Sequence, residues 1–191
     1  FSVAQYWSKG AAFPLLGASA HGREYVTSVI IVRKDSGIRR LADLQGRTIA
    51  FQDPGSTASY YLPSYCLRSQ GLRLLRLASF GLPVPKNQVG YVFARHELNI
   101  SSWVYYGKVA GGALSRGNWE NPEYTPERYR PELAIIHESP RVLYLLVLAR
   151  QGLESRLAER LKEELLKINT APEAAALRSA WIDRYILLPG G

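Results

Sequence analysis

Methionine is absent from the 191 residues, and cysteine occurs once, at Cys66. A single cysteine excludes an intramolecular disulfide and cannot seed a zinc motif, so Cys66 reads as a small core residue. A chain that opens on Phe1-Ser2 without an initiator Met fits a fragment or a processed product, so a missing leader says nothing of compartment. Long apolar runs are also missing: the longest, Val142 to Ala149, is strand-sized and far short of the ~20 residues of a spanning helix. The histidines are few and scattered, at His21, His96 and His137, with no metal-ligand spacing. There is no Walker A lysine after Gly55 and no Gly-x-Ser-x-Gly elbow, because Pro54 and Ala58 flank Gly55-Ser56-Thr57. The carboxylates of Glu154 to Glu164 are spaced as the solvated face of a helix. Neither catalysis nor a metal or cofactor is expected.

Acidic charge is in deficit. The net charge is +8, carried by 18 Arg and 6 Lys, which admits an anionic ligand, a membrane surface or nucleic acid. The positive charges are dispersed, with no basic run longer than Arg39-Arg40, so nucleic acid is not an expected partner. Much of this charge also serves solubility.

What the chain does contain is alternation of strands and helices. Phe1 to Leu16 reads as helical and Gly17 to Arg23 as a loop. Tyr25 to Arg33 is β-branched and nearly continuous, the strongest strand signal. Strands follow at Thr48–Phe51, Val89–Phe93, Lys108–Ser115, Leu133–His137 and Val142–Ala149. Helices are expected from Ser56 to Ser69, from Glu97 to Tyr106, from Leu153 to Ile168 with leucines at i+4 spacing, and from Thr170 to about Arg184. Residues 71–86 read as loop, and residues 116–130 as loop with a short helix near Pro126. The class is α/β, with a mixed, mostly parallel sheet arrangement. Two turns, Lys34–Gly37 and Glu138–Arg141, read as hinges, dividing the chain into a first lobe at 1–35, a second at 36–138, and a return to the first at 139–191.

The organising stretch runs from Thr48 to Tyr61. A short apolar strand breaks at Asp53-Pro54-Gly55, and the following helix starts with Ser56, Thr57 and Ser59. The first N–H groups of a helix lack partners within it and carry the positive end of its dipole, so hydroxyls there complete a set of donors for an oxyanion. The alternative is a capped βα loop and nothing more.

With these residues in place the chain resembles the phosphate/phosphite/phosphonate-type periplasmic substrate-binding proteins of ABC transporters. The resemblance is carried by Tyr25 to Ile38, Leu41 to Gly46, Ile49 to Thr57, His96 to Asn99, Gly107 to Ala113 and Glu138 to Pro140. It implies a two-lobed periplasmic-binding-protein-like fold, extracytoplasmic and reaching the membrane only through an anchor or a partner. It lacks the first part of lobe I relative to the family. It also implies closure by hinge motion on a small oxyanion, with an ABC permease as partner. The same fold also serves as the ligand-sensing domain of a membrane receptor such as a histidine kinase, and that alternative stays open. The family's Asp-Pro-x-Ser-Thr loop carries over to Ser56 and Thr57. Its third hydroxyl falls on Ala58, which loses a donor. Its helix-start histidine falls on His96, for which a surface or capping role is the other reading. Phe1 and Ser2 fall in the segment facing the ligand, with Tyr6 and Trp7 a turn further on. The positions that hold an amine in relatives taking aminoalkyl phosphonates fall near Gly117 and Leu145, neither acidic, and Val109-Ala110 replaces the family's Val-Asp. This points to a compact oxyanion or one with an apolar or aromatic tail. Tyr60, Trp103, Tyr105, Trp119 and Tyr144 are candidate wall residues, or core.

Overall fold

The computed structural model describes residues 9–172, 174–175 and 181–188. The chain forms two compact units, one from residues 27–140 and the other from residues 1–26 and 141–191.

The first of these is built on a six-stranded sheet of order β5-β6-β4-β7-β3-β8. Its strands are β3 (Ser28–Arg33), β4 (Thr48–Phe51), β5 (Arg73–Arg76), β6 (Gln88–Phe93), β7 (Gly111–Ser115) and β8 (Leu133–Glu138). The pairings β5/β6, β6/β4 and β4/β7 are parallel, whereas β3 runs antiparallel to both β7 and β8. Residues Val29 to Val32 of β3 are wholly buried, as a near-continuous apolar run requires when both faces are covered. Phe51, Ile49 and Tyr91 project to one face, against Cys66 and Leu67 of helix α1 (Leu62–Ser69). Ala50 and Val92 project to the other, against Ile100 and Val104 of helix α2 (Glu97–Tyr105). Gly112 permits that second layer, since a Cβ there would lie 2.3 Å from the Ile100 side chain.

The other unit pairs β1 (Ala12–Ser19) antiparallel with β10 (Leu145–Arg150) and with β11 (Arg184–Ile186), and β2 (Tyr25–Val26) antiparallel with β9 (Val142–Leu143). The last helix, α4 (Ser155–Ile168), packs Ala158, Leu165 and Leu166 against Leu15 and Leu16.

Several expectations need correction. Residues 12–19 are a strand, not the end of a helix and the start of a loop; β10 and β11 supply backbone partners on both edges, and Pro14 sits where the register shifts, a place a strand tolerates proline. The β3 strand belongs to the six-stranded sheet, so the units divide at Val26/Thr27 and Pro140/Arg141 and not at residue 35. The expected hinge at Lys34–Gly37 is a 3₁₀ turn inside one unit (Lys34–Ser36), closed by Gly37 in the left-handed region. It is braced by Arg33, which donates to Asp35 and to the Tyr105 carbonyl. Residues 73–76, expected as loop, form the edge strand β5. Residues 116–120, also expected as loop, form a short helix α3 (Arg116–Glu120), capped by Ser115 Oγ accepting from Asn118 N–H at 3.1 Å. At the C-terminal end Arg184 is in β11 and not in a helix.

Candidate functional site

The candidate site lies along the edge of the sheet where β4, β6 and β7 end. Parallel strands deliver their C-terminal ends, and the starts of the helices that follow them, to one side. After β4 the chain turns at Asp53, whose carboxylate accepts from Gly55 N–H at 2.7 Å. Ser56 then takes an extended backbone and caps the next helix, its Oγ accepting from Ser59 N–H at 3.1 Å. The helix begins with a π turn over Thr57–Tyr61 and runs on without a break into α1. In that first turn Tyr61 N–H reaches back to Ser56 C=O at 3.0 Å. The N–H groups of Thr57 and Ala58 are at the helix start, where no carbonyl of the helix can accept from them. The capping reading of Ser56 is therefore correct as local structure, and it uses the oxygen as acceptor while leaving the hydroxyl hydrogen to donate outward.

His96 occupies the equivalent place after β6. It is the exposed N-cap of α2, its backbone extended and its side chain making no cap bond. Its ring lies over Tyr124 with centroids 6.3 Å apart. The loops are stitched together by backbone bonds: Ala94 N–H donates to Phe51 C=O and Arg95 N–H to Gln52 C=O, both at 2.8 Å. Ser56, Thr57, Ala58 and His96 are thus brought to neighbouring loops of one edge. Phe1 and Ser2, with Tyr6 and Trp7, lie outside the described residues.

Beneath these loops is a residue that sequence reasoning missed. Glu97, only 6% exposed, accepts from the Ser59 hydroxyl, from Ser115 N–H and from the Asn118 side-chain amide. One carboxylate thereby ties together the segments that follow β4, β6 and β7. Ser59 is fully buried in this network, so of the three hydroxyls expected at the helix start it is committed to Glu97 and is not a donor for a ligand. No local signal marks Glu97, because an acid in a helix's first turn ordinarily reads as an exposed partner of the dipole.

The aromatic candidates divide differently. Tyr60 packs on Phe51, Tyr91 and Phe93 with centroid distances of 5.4, 5.8 and 5.1 Å. Burial, then its hydrogen bond with Tyr91, pushes its phenol up to about 12. Trp103, Tyr105 and Trp119 pack against the core on the α2 face, so these four are core or its margin. Tyr144 joins β9 to β10 in the other unit, where its N–H donates to Glu24 C=O. Among the described residues no cluster of three or more His, Cys, Asp or Glu is placed to hold a metal ion. None of the described helices is long and apolar enough to cross a membrane.

The comparisons with known proteins agree with this architecture. A Xanthomonas citri protein solved with bound ATP superposes with a TM-score of 0.83 at 27% identity, covering 96% of this chain and 68% of its own. A binding-protein component of an ABC phosphonate transporter from Pseudomonas aeruginosa superposes at 0.56 and 19% identity, covering 96% and 59%. PhnD1 from Prochlorococcus marinus, in complex with methylphosphonate, superposes at 0.54 and 18% identity, covering 94% and 66%. The last two establish the periplasmic-binding-protein-like α/β fold. No curated protein matches the chain by sequence. The profile of the family described as "ABC transporter, phosphonate, periplasmic substrate-binding protein" matches residues 2–188. The chain belongs to this family of periplasmic substrate-binding proteins of phosphonate ABC transporters, which are binding proteins and not enzymes.

Proposed function

We propose that the chain binds a small ligand through a terminal phosphonyl or phosphoryl group, received at the helix start formed by Ser56, Thr57 and Ala58, and delivers it to an ABC permease. The carrying observation is the convergence of two helix starts on one sheet edge. One brings the Ser56 and Thr57 hydroxyls with the N–H groups of Thr57 and Ala58; the other brings the exposed His96 ring, free of any capping bond. The family's phosphonates and the ATP of the Xanthomonas citri protein share a tetrahedral PO3 terminus, which supports this reading. Each hydroxyl or helix-dipole contact contributes about 1 kcal/mol net, and micromolar affinity takes about 8 kcal/mol. Several donors must therefore converge in a site closed to water. Phe1 and Ser2, and closure of the other unit by hinge motion, belong to the same proposal. Ala58 contributes its N–H alone, and no acidic residue at Gly117 or Leu145 awaits an amine, so 2-aminoethylphosphonate is disfavoured.

The test is calorimetric titration and thermal shift with phosphate, phosphite, methylphosphonate, 2-aminoethylphosphonate and sulfate, on the protein and on Ser56→Ala/Thr57→Ala. Methylphosphonate or phosphate is expected to bind, with affinity falling at least tenfold in the double variant. Affinity unchanged by the double substitution would overturn the helix-start site.

A further inference from the structure

Near the helix start is a concave feature that the proposed site does not use. A cleft of about 410 Å3 is lined by Arg76, Leu77, Ala78, Phe93 and Arg95, at the ends of β5 and β6. It contains two cations and no carboxylate. Among the described residues neither Arg76 nor Arg95 has an ion-pair partner, as is true of most of the arginines; what sets these two apart is that they line one hollow. The Arg76 guanidinium lies 5.3 Å from the centroid of the Phe93 ring, which orients its fork while leaving N–H groups to donate. Arg95 has a φ of 68°, a left-handed backbone that a residue with a Cβ rarely adopts. Two like charges gathered in one hollow repel each other unless an anion lies between them.

The cleft adjoins the helix-start loops through the residues that line it. Arg95 is the chain neighbour of His96, its N–H is bonded to Gln52, and Phe93 contacts Tyr60 in the π turn. Strand spacing puts the ends of β4 and β5 roughly 10 Å apart. We propose that the Arg76–Arg95 cleft is a subsite for a second anionic group, so that the site takes an oligophosphate-bearing ligand whose terminal group rests on Ser56 and Thr57. This rests on the helix-start reading above. Bidentate guanidinium–phosphate bonds are the chemistry that would recognise it.

The experiment compares inorganic phosphate, methylphosphonate and tripolyphosphate at fixed ionic strength by calorimetric titration. The wild-type protein is expected to bind tripolyphosphate at least tenfold tighter than phosphate. Arg76→Gln/Arg95→Gln should remove that advantage and leave methylphosphonate affinity within twofold, while Arg76→Lys/Arg95→Lys should retain part of it. Arg156→Gln/Arg160→Gln, which removes two charges from α4, should leave the advantage in place. Equal affinity for phosphate and tripolyphosphate would overturn the subsite. So would a uniform loss for all three anions in the Arg76/Arg95 variant, or the same loss in the α4 variant. Failure of the helix-start reading looks different. Ser56→Ala/Thr57→Ala then leaves methylphosphonate binding unchanged, while Arg76→Gln/Arg95→Gln still removes the tripolyphosphate advantage, which supports the cleft as an anion site in its own right.

Discussion

Replacing Glu97 by alanine removes the acceptor shared by Ser59, Ser115 and Asn118. The Ser59 hydroxyl and the Ser115 N–H are in buried residues and cannot turn to water; the Asn118 amide is half-buried and can. Each orphaned buried donor costs about 1–3 kcal/mol, so two of them put the loss at about 3 kcal/mol. For a unit the size of residues 27–140 1 kcal/mol corresponds to about 4 °C, giving an expected fall in midpoint of about 12 °C for the transition that unfolds it. Glu97→Gln keeps one acceptor but sets amide hydrogens against the existing donors, and about half that loss is expected. Urea and thermal unfolding followed by circular dichroism read these effects, and a double-mutant cycle of Glu97→Gln with Ser59→Ala should give a coupling above about 0.5 kcal/mol. If Glu97→Ala unfolds within 1 kcal/mol of the wild type, the carboxylate does not tie the three loops together.

Two other predictions concern the same unit. Gly112→Ala places a Cβ 2.3 Å from Ile100 and 3.0 Å from Val104; overpacking of α2 on β7 should cost about 1–3 kcal/mol, measured by urea unfolding, and an unchanged midpoint would mean the helix shifts freely. Burial holds the His137 imidazole below its ordinary value, and its Nε2 is enclosed without a partner. The unfolded chain therefore takes up the proton first, so stability from this group is complete above about pH 6.5 and declines as pH falls below it. Urea midpoints between pH 5 and 8 should show that decline in the wild type and lose it in His137→Gln; identical profiles would contradict it.

Much of the unit formed by residues 27–140 was legible because its elements are dictated locally. Val29 to Val32 can only be a strand covered on both faces. Asp53-Pro54-Gly55 can only be a turn. The turn composition and the hydroxyls after it marked a helix start capped by Ser56 or Thr57, and the structure makes Ser56 the cap of a π turn. The strand at residues 12–19 was not legible, since its partners lie at residues 145–150 and 184–186 and no window of sequence joins them. Arg73–Arg76 is too short to show alternation, and it is a strand because β6 offers an edge. Glu97 was hidden for a related reason: its three donors come from residues 59, 115 and 118, brought together only by the sheet order. Likewise Arg76 and Arg95 look like any of the 18 arginines until the cleft sets them side by side.

The way the two units share the chain has a consequence for folding. Residues 27–140 are one uninterrupted segment, whereas the other unit draws its central pairing from residues 12–18 and 145–150. Closing so long a loop from a disordered chain carries a large entropic cost and slows folding. If the intervening segment has already folded, its two ends are fixed points and the loop is effectively short. The continuous unit therefore acts as the template, and assembly of the discontinuous one waits for it. A substitution such as Gly112→Ala, far from β1 and β10 in sequence, should delay their pairing as well as weaken its own sheet, and refolding would then show two phases linked in series.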